Sequence, residues 1–261
     1  MTPAAAILDP RTTLARPDLA EQALEGIVRA AAFRPVQPMH CAVPVIDLHA
    51  GPAAGDHPVD QLIFGEAFDV LEARSDRVWG RARRDGVVGW VLRSALAAGA
   101  PLATHRIEST GDALPLNALV IDRGGATGLA PIGSFAAEPV EVAERLIGVP
   151  HRLGARSSLA TDCAGLIQQA LYACGRAAPR YADQQAELGE PVQAGDAGRG
   201  DLVIWLKADE APWRGHSGFL LDAGRVLHAT GHHGAVVVEA RAEAEARYRA
   251  GGFAAPVFRR L

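Results

Sequence analysis

The sequence has few cysteines, no excess of positive charge and no long apolar run. Its three cysteines are an odd number without a Cys-x-x-Cys pair, so neither a disulfide framework nor a cysteine zinc site is indicated, and a reducing compartment fits best. Acidic residues outnumber basic ones, 30 to 26, so we expect neither nucleic acid nor a membrane as a partner. No run approaches the roughly 20 apolar residues of a bilayer span.

The N-terminal residues also lack a signal-peptide pattern. In MTPAAAILDPRTTLARPDLA, acidic residues and prolines interrupt the region where a signal peptide has its apolar centre. We therefore expect a soluble cytoplasmic protein. The composition itself, 49% hydrophobic and 21% charged, is that of a globular chain, and 261 residues allow one large domain or two to three small ones.

The first half of the chain is predicted to consist mainly of short strands. Four apolar runs separated by Gly, Pro and Asp predict a small barrel over residues 39–97: CAVPVIDL, QLIFGEAFDVLEA, RVWGRA and GVVGWVL. A helical segment is expected in residues 1–38, centred on residues 19–32. Residues 102–134 hold two or three weak strands, and residues 98–138 form either a second, shortened barrel or a linker.

The second half, residues 139–261, is predicted to be helical first and then a sheet. Pro139 at a first helical position and Gly148 as a stop predict one helix, and the apolar spacing of TDCAGLIQQALYACG predicts another that begins near Cys163. Four apolar runs then predict an antiparallel meander: DLVIWL, SGFLL, RVLHA and AVVVE. The fold class is therefore α+β.

Cys163 is the candidate nucleophile. The thiolate is the reactive form of cysteine, and the unpaired N–H groups at a helix N-terminus favour negative charge, so a cysteine at a helix start suits this role. Cysteine is also commonly a small buried apolar residue, which is the expected role of Cys41 in a strand and of Cys174 late in the helix. A base near Cys163 would decide between the two roles.

Two of the nine histidines, His216 and His228, are the candidate bases. They lie on the SGFLL and RVLHA strands, which are predicted to pair as a hairpin. With a three-residue loop over residues 222–224, both imidazoles lie on one face of the sheet as diagonal neighbours. A two-residue loop would put them on opposite faces, so the register tests the hypothesis.

Two alternatives use other residues or another chemistry. His232 and His233 rival His228 for the third position, although exposure is expected for both because they lie in a turn flanked by glycines. A zinc site formed by Cys163, His216 and His228 is chemically conceivable, but it lacks the short ligand pair typical of such sites. We therefore expect no metal and no cofactor.

The ordered motifs of the second half resemble those of the NlpC-type cell-wall peptidases, which are papain-like cysteine peptidases that cleave peptidoglycan stem peptides. The family's Asp-Cys-Ser-Gly-Leu motif stands here as DCAGL at 162–166, preceded by GARSS at 154–158, which is similar to the usual Gly-Gly-Arg-Ser loop. The three strand motifs of the family follow in order, as GDLV at 200–203, HSGF at 216–219 and LHA at 227–229.

The resemblance implies a papain-like catalytic domain over residues 139–261 and assigns roles within it. Cys163 is the nucleophile, His216 is the general base that takes the thiol proton, and His228 is the third polar residue, which orients His216. The order of the motifs agrees with the hairpin register expected from the sequence.

Substrate contacts are also implied within this domain. Arg156 and Ser157 belong to the loop that resembles the Gly-Gly-Arg-Ser segment and are candidates for binding substrate. Asp162 has two expected roles, as the N-cap of the helix or as a contact for the substrate amine.

The first half resembles the bacterial SH3-like domains that some family members carry. The similarity rests on LIFGE at 62–66, VW at 78–79 and GVVGWV at 86–91. In such relatives this domain restricts the substrate to short peptides with a free N-terminus, and Glu66 is our candidate to meet that amine. Residues 98–138 are a candidate second, shortened SH3-like unit.

The expected activity is hydrolysis of the γ-D-glutamyl–diamino acid bond in murein peptides by a cysteine endopeptidase. Two hydroxyls of the family pattern that could contact the stem peptide are absent, because Ala164 and Ala182 stand where relatives have serine. Two alternatives stay open: a weakly active or inactive protein that binds wall peptides, and an amidase or acyltransferase on the same fold.

Overall fold

The structure is a computed structural model whose contacts divide the chain into two compact units, Met1–Leu102 and Ala103–Leu261. It describes residues 8–53, 55–99, 102–110, 113–124, 127–207 and 215–261. Within these ranges, no helix combines the length and the apolar character that crossing a membrane requires.

The first unit is built around one antiparallel seven-stranded sheet in the order β5-β4-β8-β7-β6-β3-β9. A short parallel pair precedes it, formed by β1 and β2. The strands are β1 (Ala20–Glu21), β2 (Phe33–Arg34), β3 (Gln37–Cys41), β4 (Val45–His49), β5 (Pro58–Ile63), β6 (Ala67–Arg74), β7 (Arg77–Ala82), β8 (Val88–Leu92) and β9 (Leu96–Ala98). The short strands predicted between residues 41 and 96 are therefore confirmed.

The helical segment predicted near residues 19–32 is wrong. The described part of residues 1–38 has a single turn of 3-10 helix, Gln22–Leu24, between the two short strands. Leu14 and Leu19 pack against Trp79 and Trp90, and backbone pairing of β1 with β2 holds the segment extended on both sides of the turn. Burial against the two tryptophans therefore outweighs the local helical pattern.

The second unit begins with a three-stranded sheet, and its strands are β10 (His105–Ile107), β11 (Leu119–Val120) and β12 (Leu129–Pro131). Leu116 from this region is fully buried in the main core of the unit, and the Asn117 side chain donates to the backbone oxygen of Gln169 at 2.9 Å. The chain therefore divides between residues 102 and 103, whereas the sequence pattern predicts a boundary near 138. That residues 98–138 form a shortened SH3-like unit stays a prediction.

The rest of the second unit packs helices against a six-stranded antiparallel sheet in the order β13-β18-β14-β15-β16-β17. The helices are α1 (Pro139–Glu144), α2 (Cys163–Ala173), α3 (Ala182–Gln185) and α4 (Arg241–Ala250). The strands are β13 (Glu190–Val192), β14 (Leu202–Leu206), β15 (Gly215–Asp222), β16 (Arg225–Thr230), β17 (Ala235–Ala240) and β18 (Val257–Arg260). The predicted meander is confirmed as β14 to β17, and the α+β class is correct.

Helix α2 is the central helix of this unit. Every residue from Ala164 to Ala173 is buried, because the helix packs on α1 and on the sheet and also meets Leu116. Gly165 lets the helix approach the preceding loop, since a Cβ at this position would lie 2.5 Å from the backbone oxygen of Ala155. The first turn of α2 is thus held in position by close packing against the preceding loop.

The β15–β16 hairpin has a two-residue turn, across which Asp222 faces Arg225, so the predicted three-residue loop is wrong. One extra residue, Leu221, lies in β15 beyond the turn as a β-bulge. The bulge restores the predicted register, because Phe219 faces Leu227. The two candidate histidines therefore lie on the same face of the sheet, as predicted.

Candidate active site

Cys163 is the first residue of α2, as the sequence predicts, and its side chain is partly exposed. The backbone N–H groups of Ser217 and Ala164 lie within hydrogen-bonding reach of its sulfur. Since Ser217 directly follows His216 in β15, the thiol of α2 lies against the strand that carries the predicted base.

Asp162 caps the helix, and its carboxylate is surrounded by donors of the same chain. Its oxygens accept the N–H groups of Gly165 and Gly154, both at 2.9 Å. Arg180 donates to both oxygens, at 3.0 and 2.6 Å, and this ion pair is completely buried. The bond from Gly165 confirms the predicted role of Asp162 as the helix cap. Contact of Asp162 with a substrate amine stays a prediction, and the four hydrogen bonds that its carboxylate already accepts within the chain oppose it.

The two candidate residues of the preceding loop are also buried. Arg156 has no exposed surface, and Ser157 has 1%. The Ser157 hydroxyl bonds the turn that contains it, because it donates to the Ala160 backbone oxygen at 3.2 Å and accepts the N–H of Leu159 at 3.3 Å. Both residues lie in the loop that leads to Cys163, and a direct substrate contact of either one stays a prediction.

His216 and His228 are brought together by the hairpin. The Nε2 atom of His216 lies 2.7 Å from Nδ1 of His228, and the two rings meet edge to face. His216 is 8% exposed and His228 is fully buried. An imidazole pair with this separation can hold one ring in a fixed orientation, which is what the third residue of a cysteine peptidase must do.

The surroundings keep both members of the candidate catalytic pair neutral at rest. Burial raises the pKa of the Cys163 thiol to about 12, and the Asp162 carboxylate acts in the same direction. Burial also holds the pKa of His216 well below its usual value, with a further lowering from His228. The N–H group of Ala164 at the start of α2 lowers the thiol pKa, as expected for a helix terminus, but the loss of solvation is the larger effect.

Three residues of this site were not found in the sequence. Glu239 of β17 accepts from Nε2 of His228 at 2.6 Å, and Arg247 of α4 donates to both Glu239 oxygens, one of them at 3.0 Å. Tyr248 of α4 stacks on the His216 ring with the centroids 4.4 Å apart. Glu239 lies two residues from Val237, the partner of His228, so it is the register of β17 against β16 that brings it to His228.

The rival histidines occupy the turn between β16 and β17. His232 and His233 are exposed, as expected, and Nε2 of His233 lies 3.5 Å from the outer oxygen of Glu239. Among the described residues, no three His, Cys, Asp or Glu side chains are arranged to hold a metal ion.

Glu66 lies in the first unit and is 1% exposed. Its Oε2 accepts the backbone N–H of Ile63 at 3.0 Å, and its Oε1 lies 3.5 Å from Arg84. These contacts give Glu66 a role in the turn between β5 and β6. Its binding of a substrate amine stays a prediction.

Both parts of the chain match known protein families. Residues 48–96 match the model described as "Bacterial dipeptidyl-peptidase Sh3 domain", and residues 148–250 match the NlpC/P60 family. The second match contains every residue of the cysteine–histidine site described above.

Two curated relatives match part of this chain. A probable endopeptidase of Corynebacterium glutamicum is 35% identical over 112 residues, which are 43% of this chain and 51% of that protein. The γ-D-glutamyl-L-lysine dipeptidyl-peptidase of Bacillus subtilis is 27% identical over 125 residues, 48% of this chain and 38% of that protein. The match thus spans about half or less of each relative.

One solved structure shares the fold over most of the chain. It is an NlpC/P60 family protein from Bacillus cereus, which aligns with a TM-score of 0.65 and 14% sequence identity. The alignment covers 85% of this chain and 99% of that one. At this level of identity, the similarity concerns the fold.

Proposed function

This chain carries a domain of the NlpC/P60 cell-wall peptidase family behind a bacterial SH3 domain, and from that premise we propose that it is a cysteine endopeptidase of murein peptides. The bond cleaved is the amide between γ-linked D-glutamate and a diamino acid. The observation that carries the proposal is the 2.7 Å contact between His216 and His228 on the strands next to Cys163. Intact proton-transfer groups support hydrolysis over simple binding.

The reaction begins with transfer of the thiol proton to His216. The Nε2 atom of His216 faces His228, so Nδ1 is the atom that accepts this proton. The sulfur attacks the γ-carbonyl carbon, and the backbone N–H of Cys163, at the start of α2, is the proposed donor to the oxyanion. The amine of the diamino acid leaves with the proton of His216, and a thioester remains.

Hydrolysis of the thioester completes the cycle. His216 takes a proton from water, and the hydroxyl attacks the thioester carbon. The sulfur leaves, regains its proton from His216, and the γ-carboxyl group of glutamate is released. Because both groups are neutral at rest, each cycle returns Cys163 and His216 to the state in which it began.

The substrate is proposed to be a short murein peptide with a free N-terminus, processed in the cytoplasm. This proposal is supported by the SH3 domain match and by the B. subtilis relative, whose name specifies a γ-D-glutamyl-L-lysine bond. Cell fractionation with an antibody to the chain tests the location. Recovery of the protein outside the cytoplasm would contradict that part of the proposal.

A panel of four peptides tests the proposed specificity. L-Ala-γ-D-Glu-diaminopimelate and its L-Lys counterpart are incubated with the protein, beside the α-linked isomer and an N-acetylated form. Release of L-Ala-D-Glu from the γ-linked free peptides alone is expected. Equal cleavage of the α-linked isomer would refute the γ-glutamyl specificity, and transfer of the acyl group to an added amine without hydrolysis would support the acyltransferase alternative.

A further inference from the structure

Four side chains from three strands and one helix form a continuous chain of hydrogen bonds behind the nucleophile. Nε2 of His216 meets Nδ1 of His228 at 2.7 Å, and Nε2 of His228 meets Oε1 of Glu239 at 2.6 Å. Arg247 donates to both oxygens of Glu239 from the far side. The side chain of Glu239 is 8% exposed, so water competes little for its oxygens.

The charge of Glu239 fixes the direction of these bonds. Although burial opposes its ionisation, the hydrogen bond from Arg247 and the charge of the neighbouring groups lower the pKa of Glu239 to about 2. An ionised carboxylate only accepts hydrogen bonds, so Nε2 of His228 must carry the proton. Burial lowers the pKa of His228 to about 4, so its ring is neutral near pH 7 and its Nδ1 is an acceptor.

The bond to His228 also determines the tautomer of His216. Because Nδ1 of His228 can only accept, Nε2 of His216 must donate, and the neutral His216 ring then has its lone pair on Nδ1. This is the tautomer that the proposed reaction needs, since Nδ1 takes the proton of Cys163. A His216 ring protonated on Nδ1 has no vacant site for that proton.

We propose that Glu239, held by Arg247, is a positioning residue that sets the tautomers of His228 and His216 and so makes His216 competent as a base. This inference rests on the proposed function for its kinetic consequence, while its structural content concerns the two rings alone. Glu239 acts through His228 and does not itself contact the reacting atoms. Helix α4 thereby becomes part of the site, through Arg247 on Glu239 and Tyr248 on His216.

Other titratable groups near this chain act on it as well. His233 approaches the outer oxygen of Glu239 at 3.5 Å, Tyr248 covers one face of the His216 ring, and Arg247 and His151 lower the pKa of His216 through their charge. None of these groups contacts Nε2 of His228, which faces Glu239. The tautomer of His228 therefore depends on Glu239 rather than on the surrounding charges.

The test compares Glu239→Gln with wild type and with Glu243→Gln, an exposed position on α4. Two readouts are taken at pH 7: kcat and KM for L-Ala-γ-D-Glu-diaminopimelate, and the histidine tautomers from ¹⁵N NMR of the full chain. We expect wild type and Glu243→Gln to show Nε2-protonated rings for both histidines. We expect Glu239→Gln to show mixed tautomers and a kcat about 10- to 100-fold lower, with KM within about twofold.

A second variant separates tautomer control from charge balance. Glu239→Gln leaves the Arg247 charge uncompensated, so Glu239→Gln/Arg247→Gln is measured beside it, and this variant also serves if the single one does not fold. Continued loss of kcat with mixed tautomers in the double variant supports the proposal. Recovery of wild-type kcat, or unchanged tautomers in both variants, would overturn it. A wild type that cleaves no peptide refutes the proposed function, and the NMR readout still decides this inference.

Discussion

The carboxylate of Asp162 is a structural group that lies next to the proposed nucleophile, Cys163. It completes the cap of α2, pairs with Arg180 in the interior and also raises the pKa of Cys163. For Cys163, a standing thiolate is opposed both by lost solvation and by this second negative charge. The proposed base, His216, must therefore take the thiol proton as the first step of the reaction.

The neutral resting pair leads to a pH dependence for thiol alkylation. Since the thiol pKa is raised, the thiolate fraction of Cys163 grows about tenfold per pH unit below that pKa. We expect the rate of iodoacetamide labelling at Cys163, followed by peptide mass spectrometry, to rise steadily from pH 6 to pH 10. The half-buried Cys174 provides an internal comparison. A constant, high rate at Cys163 between pH 5 and pH 8 would show a standing thiolate and contradict the neutral pair.

The buried ion pair predicts a large effect on stability. Asp162→Ala removes the helix cap and leaves the Arg180 guanidinium without its counter-charge in the interior, so we expect the free energy of unfolding to fall by about 3–5 kcal/mol. The matched control is Glu144→Ala, which breaks an exposed pair with Arg199 and should cost less than about 1 kcal/mol. Urea unfolding measures both. Similar losses in the two variants would contradict the assigned role of Asp162.

At the scale of elements, the β15–β16 hairpin shows how far sequence reasoning extends. The apolar runs predict that the two strands pair. The alternation of side chains between the two faces of a strand predicts that the two histidines share a face. The length of the turn could not be predicted from the sequence. A two-residue turn with a bulge at Leu221 and a three-residue loop give the same strand register beyond the turn. Glu239 was missed because its position depends on the register of a third strand.

The bulge provides a direct test of register. Deletion of Leu221 joins Leu220 to Asp222, and the existing pairs of these two residues then become consecutive, so the histidines keep their common face. We expect the deletion to retain peptidase activity, with lower stability because Leu221 is buried in the core. Leu221→Ala, which keeps the bulge, measures the packing loss alone. An inactive but folded deletion variant would show that the bulge has a role beyond register.

At the scale of the whole molecule, the composition and motifs predicted the α+β class and the strand-rich first half, whereas the division of the chain depended on long-range packing. Leu116 and Asn117 lie 46 or more residues before Cys163 in the sequence, yet they pack on its helix. A local pattern carries no information about such contacts. The helix expected near residues 19–32 failed for the same reason, because burial on Trp79 and Trp90 decides its conformation.

The observed division predicts how fragments behave. Residues 103–261 retain Leu116 and Asn117 and should unfold cooperatively on heating, as followed by circular dichroism. Residues 139–261 lose the side chain that fills the core beside α2 and leave the polar partners of Asn117 on Gln169 unpaired. We expect this shorter fragment to be less stable by several kcal/mol or to fail to fold. Equal melting temperatures for both fragments would contradict the boundary at residue 102.

The most direct measurement of the central claim is release of L-Ala-D-Glu from L-Ala-γ-D-Glu-diaminopimelate by wild type and by Cys163→Ala, quantified by mass spectrometry over the same time. The proposed mechanism predicts product with wild type and none above background with Cys163→Ala, whose fold is checked by circular dichroism. Product formation by Cys163→Ala at the wild-type rate would contradict the account.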